Sequence, residues 1–552
     1  MPDFTDQDLL DEIRFDIKAR DRRKAELVLA ALKDVQRDTQ KKALFEVSRA
    51  DEEFSIPLLA GLFVNAPDIA KSFPQLKETM YSKMLSRPDV LRELLLKEAN
   101  PNVRAFLAEV AGQIQLAEAA PALMDMIGSE SDPGIIGAAI ISLGMIGDPR
   151  AVAPVSAFLQ HPDKALASAA VDTLGKIASP EAIQKLADCL GKDPELDHKM
   201  IDIFSKVQTP EAIENLNKTL GSEHAHVRSA GKEKLGAIGV MSVRVLLKNL
   251  NRLNSDLVIH SLNVLGDIGD VAAVTAIRNL LNQHPEDANV RFAAYEALGR
   301  LPLEKGAFAL ASGLEDPVDN VRSAAARAID RNYNALLAGG VRNMIKASDG
   351  AAALIMEAVV NSQCERIFVD LLEEEKFKAS AMAYLSAKAH PDIRAFFTGI
   401  LTAKGFADLA TLVAPKAGEK TRASLRIYTV DDSKMLLNIY RSVLHNLGCE
   451  AMAFESPAQA LERVREDKPD VILTDLNMPQ LTGIDLAKGI RTWFPKEQLP
   501  IILVTTQQES QDFKDVQAVG INGIIQKPFT ESHISAALKK YAGYDAAKNH
   551  GA

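Results

Sequence analysis

Residues 471–483 read VILTDLNMPQLTG. The run Val471 to Thr474 ends on a carboxylate, Asp475, and Asn477, Pro479 and Gly483 follow it. A short continuous apolar run bounded by turn residues suits a strand buried on both faces, as in a parallel sheet. Working outward, the pattern recurs. LRIYTV (425–430) runs into Asp431 and Asp432, PIILVT (500–505) ends on Thr505, and a strand at 522–526 precedes Lys527. A further strand is predicted at 451–454. Helical segments are predicted at 433–447, 457–466, 484–494, 508–519 and 531–541. Five β-α units predict a flavodoxin-like (β/α)5 domain with a parallel sheet over 425–543.

In such sheets ligands sit at the carboxyl ends of the strands. Those ends bring together residues far apart in the chain: Asp431, Asp432, Asp475, Thr505 and Lys527. Three carboxylates in one pocket repel one another and demand a bound cation. Hard oxygen ligands at an open site favour Mg²⁺. A carboxylate can attack a phosphoryl group and form an acyl phosphate. That transfer depends on in-line positioning and charge neutralisation. Lys527 offers a mobile positive charge, and Thr505 a hydroxyl donor.

VDD at 430–432, TDLNMP at 474–479 with Gly483, VTT at 504–506 and KPF at 527–529 resemble the CheY-like receiver domain of two-component response regulators. The resemblance implies that Asp475 is the phosphoacceptor, served by a histidine kinase or phosphotransfer protein. It implies Mg²⁺ bound by the side chains of Asp432 and Asp475 and the backbone carbonyl of Asn477, with Asp431 assisting through water. It implies Lys527 on the phosphoryl group, Thr505 shifting towards it, and a cis peptide between Lys527 and Pro528. Two positions depart from the family pattern. The usual aromatic switch residue is replaced by Ile524, and the usually small residue after the Thr is Thr506. The bulk of Thr506 predicts slower dephosphorylation than in a relative with Ala there, with Thr506→Ala as its test.

The long stretch before residue 414 is a repeat array. Leu143-Gly144, Leu174-Gly175, Leu235-Gly236, Leu265-Gly266 and Leu298-Gly299 recur at about one period, with Phe204-Ser205 filling a missing slot and Ile329-Asp330 continuing the series. The turns that follow read IGDPRAV, IASPEAI, VQTPEAI and IGDVAAV. Asp, Ser or Thr before Pro is a helix-start signal: the side chain caps free N–H groups and Pro loses nothing there. The next helix often opens on Val-Arg, at Arg104, Arg228, Arg291 and Arg322. Those arginines are expected to pair with acidic residues of neighbouring turns. Two short helices per ~30 residues must stack on their neighbours to bury an apolar face, which predicts an α-solenoid. The pattern resembles the HEAT-repeat family, in the short form of phycobilisome lyase subunits.

The expected organisation is a divergent helical segment at 1–99, HEAT-like repeats at 100–332, a divergent helical segment at 333–413, a linker at 414–424, the receiver domain at 425–543 and a tail at 544–552. The chain is thus expected to be multidomain, an all-α solenoid followed by an α/β domain.

Composition narrows the function. Net charge is −10, and neither part of the chain carries the basic excess that phosphate-backbone binding needs. No nucleic-acid partner is expected. The longest apolar stretch, 134–147, is too short to span a bilayer and reads as a buried helix. No membrane partner and a cytoplasmic location are expected. Cys189, Cys364 and Cys449 are widely spaced and read as reduced core thiols. No helix-turn-helix, cyclase motif or other catalytic output is visible, so the chain is expected not to be a separate enzyme. The leading expectation is a signalling adaptor whose array binds an unidentified protein. The alternatives are a HEAT-repeat enzyme resembling bilin lyases, with the receiver regulating it, or a HEAT-type nucleic-acid binder.

Overall fold

The structure is a computed structural model describing residues 6–303, 308–415, 425–478, 481–505, 516, 518–527 and 529–544. Thr506, Pro479, Pro528 and its peptide with Lys527, most of the helix expected at 508–519, and residues 416–424 and 545–552 lie outside that set. The chain divides into two compact units, Met1–Asn215 and Leu216–Ala552.

The first unit is helical throughout, apart from its turns. Helices Pro101–Gln113, Pro133–Ile146, Lys164–Ile177 and Pro194–Val207 lie in series, each against the next. Each begins on a capping side chain: Asn100, Asp132, Asp163 and Asp193 accept backbone N–H groups of the first turn. The Asp, Ser and Thr before the repeat prolines cap as expected, Ser179 taking Ala182 N at 3.2 Å and Thr209 taking Ala212 N at 3.2 Å. One of the Leu-Gly glycines, Gly144, has a clear packing reason. A Cβ on Gly144 would lie 3.0 Å from the Cα of Thr173 on the next helix. Glycine lets the two backbones approach that closely.

The second unit continues the pattern through Ala225–Ile238, Ser255–Ile268, Ala288–Arg300, Asp319–Arg331 and Asp349–Asn361, again each against the next. A Cβ on Gly299 would meet the Cα of Ala328 at 3.0 Å. The Val-Arg arginines divide. Arg104 pairs with Glu130 at 2.9 Å, and Arg291 makes a forked contact with Asp316 at 2.7 and 3.1 Å. Arg228 donates to the Ser222 carbonyl, and Arg322 to the Asp316 carbonyl and, in an ion pair, to Asp319 on its own helix. Buried guanidinium groups here hold turns through carbonyl oxygens as much as through carboxylates.

The same unit ends in a five-stranded parallel sheet of order β2-β1-β3-β4-β5. The strands are β1 (Arg426–Val430), β2 (Glu450–Phe454), β3 (Val471–Thr474), β4 (Ile501–Thr505) and β5 (Gly523–Gln526). Every residue of β3 and β4 is buried, which is why their sequences are unbroken apolar runs rather than alternating ones. Helices Lys434–Asn446, Pro457–Glu466, Gly483–Arg491 and Glu531–Ala542 pack around the sheet. The helix expected to reach Phe494 stops at Arg491, whose guanidinium donates to the carbonyls of Phe494 and Gly520. All three cysteines are buried and free. Among the described residues no helix is long and apolar enough to cross a membrane.

Candidate functional site

Strand order fixes the site. β1 and β4 flank β3, so the ends of three neighbouring strands meet at Asp475. The backbone ladder sets the heights: Asp475 N donates to the Val430 carbonyl at 2.8 Å, and Lys527 N donates to the Thr505 carbonyl at 2.8 Å. Thr505 is buried at the end of β4 and joins the site through that carbonyl. Gly483 starts the helix after β3, capped by Thr482. A Cβ at Gly483 would sit 2.1 Å from the Asp475 carbonyl oxygen, so only glycine fits there.

The side chains converge on Lys527. Its Nζ donates to Asp431 Oδ2 at 2.7 Å and to Asp475 Oδ1 at 3.0 Å. All three groups are buried. The second oxygen of Asp431 accepts the Ser433 N–H at 2.9 Å, so both of its oxygens are engaged. Burial, with Asp475 and Asp432 close by, pushes the Asp431 carboxyl up to about 7 against the pull of Lys527. Burial works against the Lys527 ammonium, yet Asp431 and Asp475 outweigh it and hold the group well above its ordinary value. Asp432 is exposed to the cavity, but the protein crowded around it and Asp475 raise its carboxyl, while Lys232 pulls the other way.

A cavity of about 520 Å³ opens beyond these groups, lined by Asp431, Asp432, Asp475, Asn477 and Lys527 on the sheet side. Asn477 Oδ1 is buried with no hydrogen-bond partner among the described residues. Among the described residues no group of three or more His, Cys, Asp or Glu side chains is arranged to hold a metal ion. With Asp431 committed to Lys527 and Ser433, the hard donors left are the carboxylates of Asp432 and Asp475 and the Asn477 carbonyl. That set suits Mg²⁺, which keeps several of its waters.

The far wall of the cavity comes from the helical repeats. Lys232, His260, Asp267, Asn289 and Arg300 line it, and none of them was singled out from the sequence. Lys232 lies one helical turn after Arg228, in HVRSAGKEKLG. Its periodicity marked a repeat helix and gave no sign of what that helix faces. Ile524 is partly buried and packs against the apolar core of the sheet domain. An aromatic residue does lie close to the site from another direction: Tyr440, fully buried, stacks on Phe529 with centroids 4.8 Å apart.

Comparison with known proteins finds two families along the chain. The response regulator receiver domain family matches residues 427–539, and the HEAT repeat family matches 88–157, 137–200 and 243–330. Chemotaxis protein CheY-3 of Vibrio cholerae is 30% identical over 118 residues, covering 21% of this chain and 91% of that protein. Aerobic respiration control sensor protein ArcB of Escherichia coli is 26% identical over 118 residues, 21% of this chain and 15% of that protein. Among solved structures, the receiver domain of sensor histidine kinase PA1611 from Pseudomonas aeruginosa, which has magnesium coordinated in its active-site cleft, is 24% identical. It covers 22% of this chain and 100% of that one, with a TM-score of 0.21.

Proposed function

The chain belongs to the response regulator receiver family, with HEAT repeats ahead of its receiver domain, and from that premise we propose that Asp475 accepts a phosphoryl group from the phosphohistidine of a histidine kinase or phosphotransfer protein. The observation that carries this reading is the Lys527 ammonium bridging Asp475 and Asp431 in a buried site. A carboxylate held this way is oriented and open to an incoming phosphorus. In the transfer, the free Asp475 oxygen forms the new P–O bond as the donor's P–N bond breaks. The electron pair of that bond returns to the imidazole nitrogen, which takes up a proton. Lys527 then faces a phosphoryl oxygen instead of a bare carboxylate.

One buried lysine against three carboxylates leaves the site short of positive charge, which favours a divalent cation. Asp432 and Asp475 would hold Mg²⁺ with the Asn477 carbonyl, and Asp431 would act through water. Such an ion supplies charge neutralisation on the transferring oxygens. The repeats serve as a protein-binding scaffold whose partner is selected by the state of Asp475, and the chain carries no catalytic output beyond the receiver's own phosphoryl transfer. Incubation with acetyl phosphate and Mg²⁺, followed by intact-mass and peptide analysis, tests the acceptor. A single added phosphoryl group on Asp475, absent from Asp475→Asn, is expected. Labelling that persists in Asp475→Asn would remove the reading. Pull-down with wild type and Asp475→Asn, with and without acetyl phosphate, tests the scaffold, and identical partner sets would exclude phospho-dependent output.

A further inference from the structure

The acceptor cavity has two walls. The sheet domain provides one, and helices Ala225–Ile238, Ser255–Ile268 and Ala288–Arg300 of the repeats provide the other. Among the described residues, hydrogen bonds from Lys232 and Asn320 tie the repeats to the sheet domain within the second unit. Lys232 Nζ donates to the Asn477 carbonyl at 3.4 Å, and Asn320 Nδ2 donates to the Phe529 carbonyl at 3.4 Å. One lands on the loop after β3, two residues past Asp475. The other lands on the segment after β5, two residues past Lys527. The repeats thus touch both loops that frame the acceptor.

Chemistry singles out the first contact. The Asn477 carbonyl is the neutral oxygen expected to bind the divalent cation, and Lys232 directs a full positive charge at it. Lys232 and the carboxylate Asp432 line the same cavity. Arg300, another repeat cation on the cavity wall, is ion-paired to Asp267, whereas Lys232 reaches the receiver. A lysine ammonium on a flexible stem is well suited to such a place: it is compact, brings three donors, and can withdraw.

We propose that Lys232 of the helical repeats is a positioning residue of the acceptor site, standing in for the divalent cation at the Asn477 carbonyl, so that the docked repeats and bound Mg²⁺ compete. The inference rests on Asp475 and its neighbours being a cation-assisted acceptor site. Two cations at one carbonyl oxygen and one carboxylate repel each other, and the repulsion is strong in a partly desolvated cavity. Binding of the ion therefore loosens the Lys232 contact, and removal of Lys232 tightens ion binding. The repeats then sense the loading of the site before any phosphoryl group arrives.

Mn²⁺ titration of the full chain, read by the electron paramagnetic resonance of the free ion, tests this. Asp432→Ala sets the background from other acidic sites. Lys232→Gln is expected to bind Mn²⁺ roughly five- to tenfold more tightly than wild type, and Lys232→Arg to stay within about twofold of it. Lys232 is only half-buried, so neither change threatens the fold. A second readout needs no variant: saturating Mg²⁺ should speed amide exchange across Ala225–Ile238 in the wild-type chain. Equal or weaker affinity in Lys232→Gln, or unchanged exchange, overturns the proposal while leaving the acceptor reading in place. Wild type and Lys232→Gln both at the Asp432→Ala background would overturn the cation-assisted site together with it.

Discussion

Lys527 Nζ donates to Asp475 Oδ1 across 3.0 Å, although the two residues stand 52 positions apart. The same ammonium holds Asp431 at 2.7 Å. Removing one member of a buried charge network leaves the others uncompensated, a loss of about 3–5 kcal/mol. Lys527→Met is therefore expected to destabilise the second unit by that order in urea unfolding. Adding Asp431→Asn should recover part of the loss, because it deletes one of the stranded charges. A fully additive double variant would show that the three groups do not act as a network.

Gly483→Ala tests the other side of the acceptor. Its Cβ would lie 2.1 Å from the Asp475 carbonyl, so the loop must shift and carry the acceptor with it. Acetyl phosphate labelling is expected to fall by at least about tenfold, the factor that a ~1.4 kcal/mol misalignment costs. Unchanged labelling would mean that the loop relaxes without moving Asp475.

Tyr440 is fully buried, and its hydroxyl has no hydrogen-bond partner among the described residues. An unsatisfied buried hydroxyl costs about 1–3 kcal/mol. Tyr440→Phe keeps the ring stacked on Phe529 and is expected to leave stability unchanged or raise it by about 1 kcal/mol. A clear loss of stability by thermal or chemical unfolding would reveal a partner for that hydroxyl in solution.

A pH response is expected from the ring pair His390 and His445, whose centroids lie 4.7 Å apart. Burial lowers the His390 imidazole, and His445 and Arg441 lower it further, while Asp392 opposes them. A histidine held neutral in the fold binds fewer protons there than in the unfolded chain. Its contribution to stability is present above the ordinary histidine range and is lost as pH falls through the lowered folded value. The gap between the thermal midpoints at pH 7.5 and 5.5 should shift in favour of pH 5.5 in His390→Phe, while Asp431, raised to about 7, pushes the other way equally in both chains. A gap of the same size in that variant would assign the acid sensitivity elsewhere.

Arg291 is clamped between Asp316 and the carbonyls of Pro285 and Glu286. Both members of the ion pair are largely buried. Arg291→Met is expected to cost about 3 kcal/mol in unfolding experiments, far above the 0–1 kcal/mol of a surface pair. A loss below 1 kcal/mol would reduce the Val-Arg motif to a surface pattern.

The strand ends were the most legible part of the sequence. Val471–Thr474 and Ile501–Thr505 are buried on both faces, so their apolar runs point to a parallel sheet, and the sheet alone brings Asp431, Asp475 and Lys527 together. The helical repeats were legible for a local reason. Starts such as Asp132 and Asp163 carry their own cap, and Leu-Gly pairs such as Leu143-Gly144 and Leu298-Gly299 mark backbone contacts. The far wall of the acceptor cavity was not legible. Lys232 lines it, while Asn320 and His390 meet the sheet domain elsewhere; all three are ordinary polar residues of the repeats, and their partners Asn477, Phe529 and His445 lie far along the chain. Periodicity reports which face of a helix is buried against its neighbours, and carries nothing about which distant loop meets a single side chain. The arginines of the Val-Arg motif fall between these cases: acidic partners were expected, and Arg104 and Arg291 have them, but the carbonyl partners of Arg228 and Arg322 depend on turn geometry.

The glycines that sit at backbone contacts, such as Gly144 and Gly299, also limit how such a chain can evolve. Successive residues of a helix are turned by about 100° from one another, so inserting one residue ahead of Gly144 or Gly299 would swing a side chain into the place where the backbones touch. Duplicating or deleting an entire helical pair leaves every such contact in register. The lineage can therefore lengthen or shorten its scaffold in whole-pair steps, while drift by single residues inside the helices is closed to it.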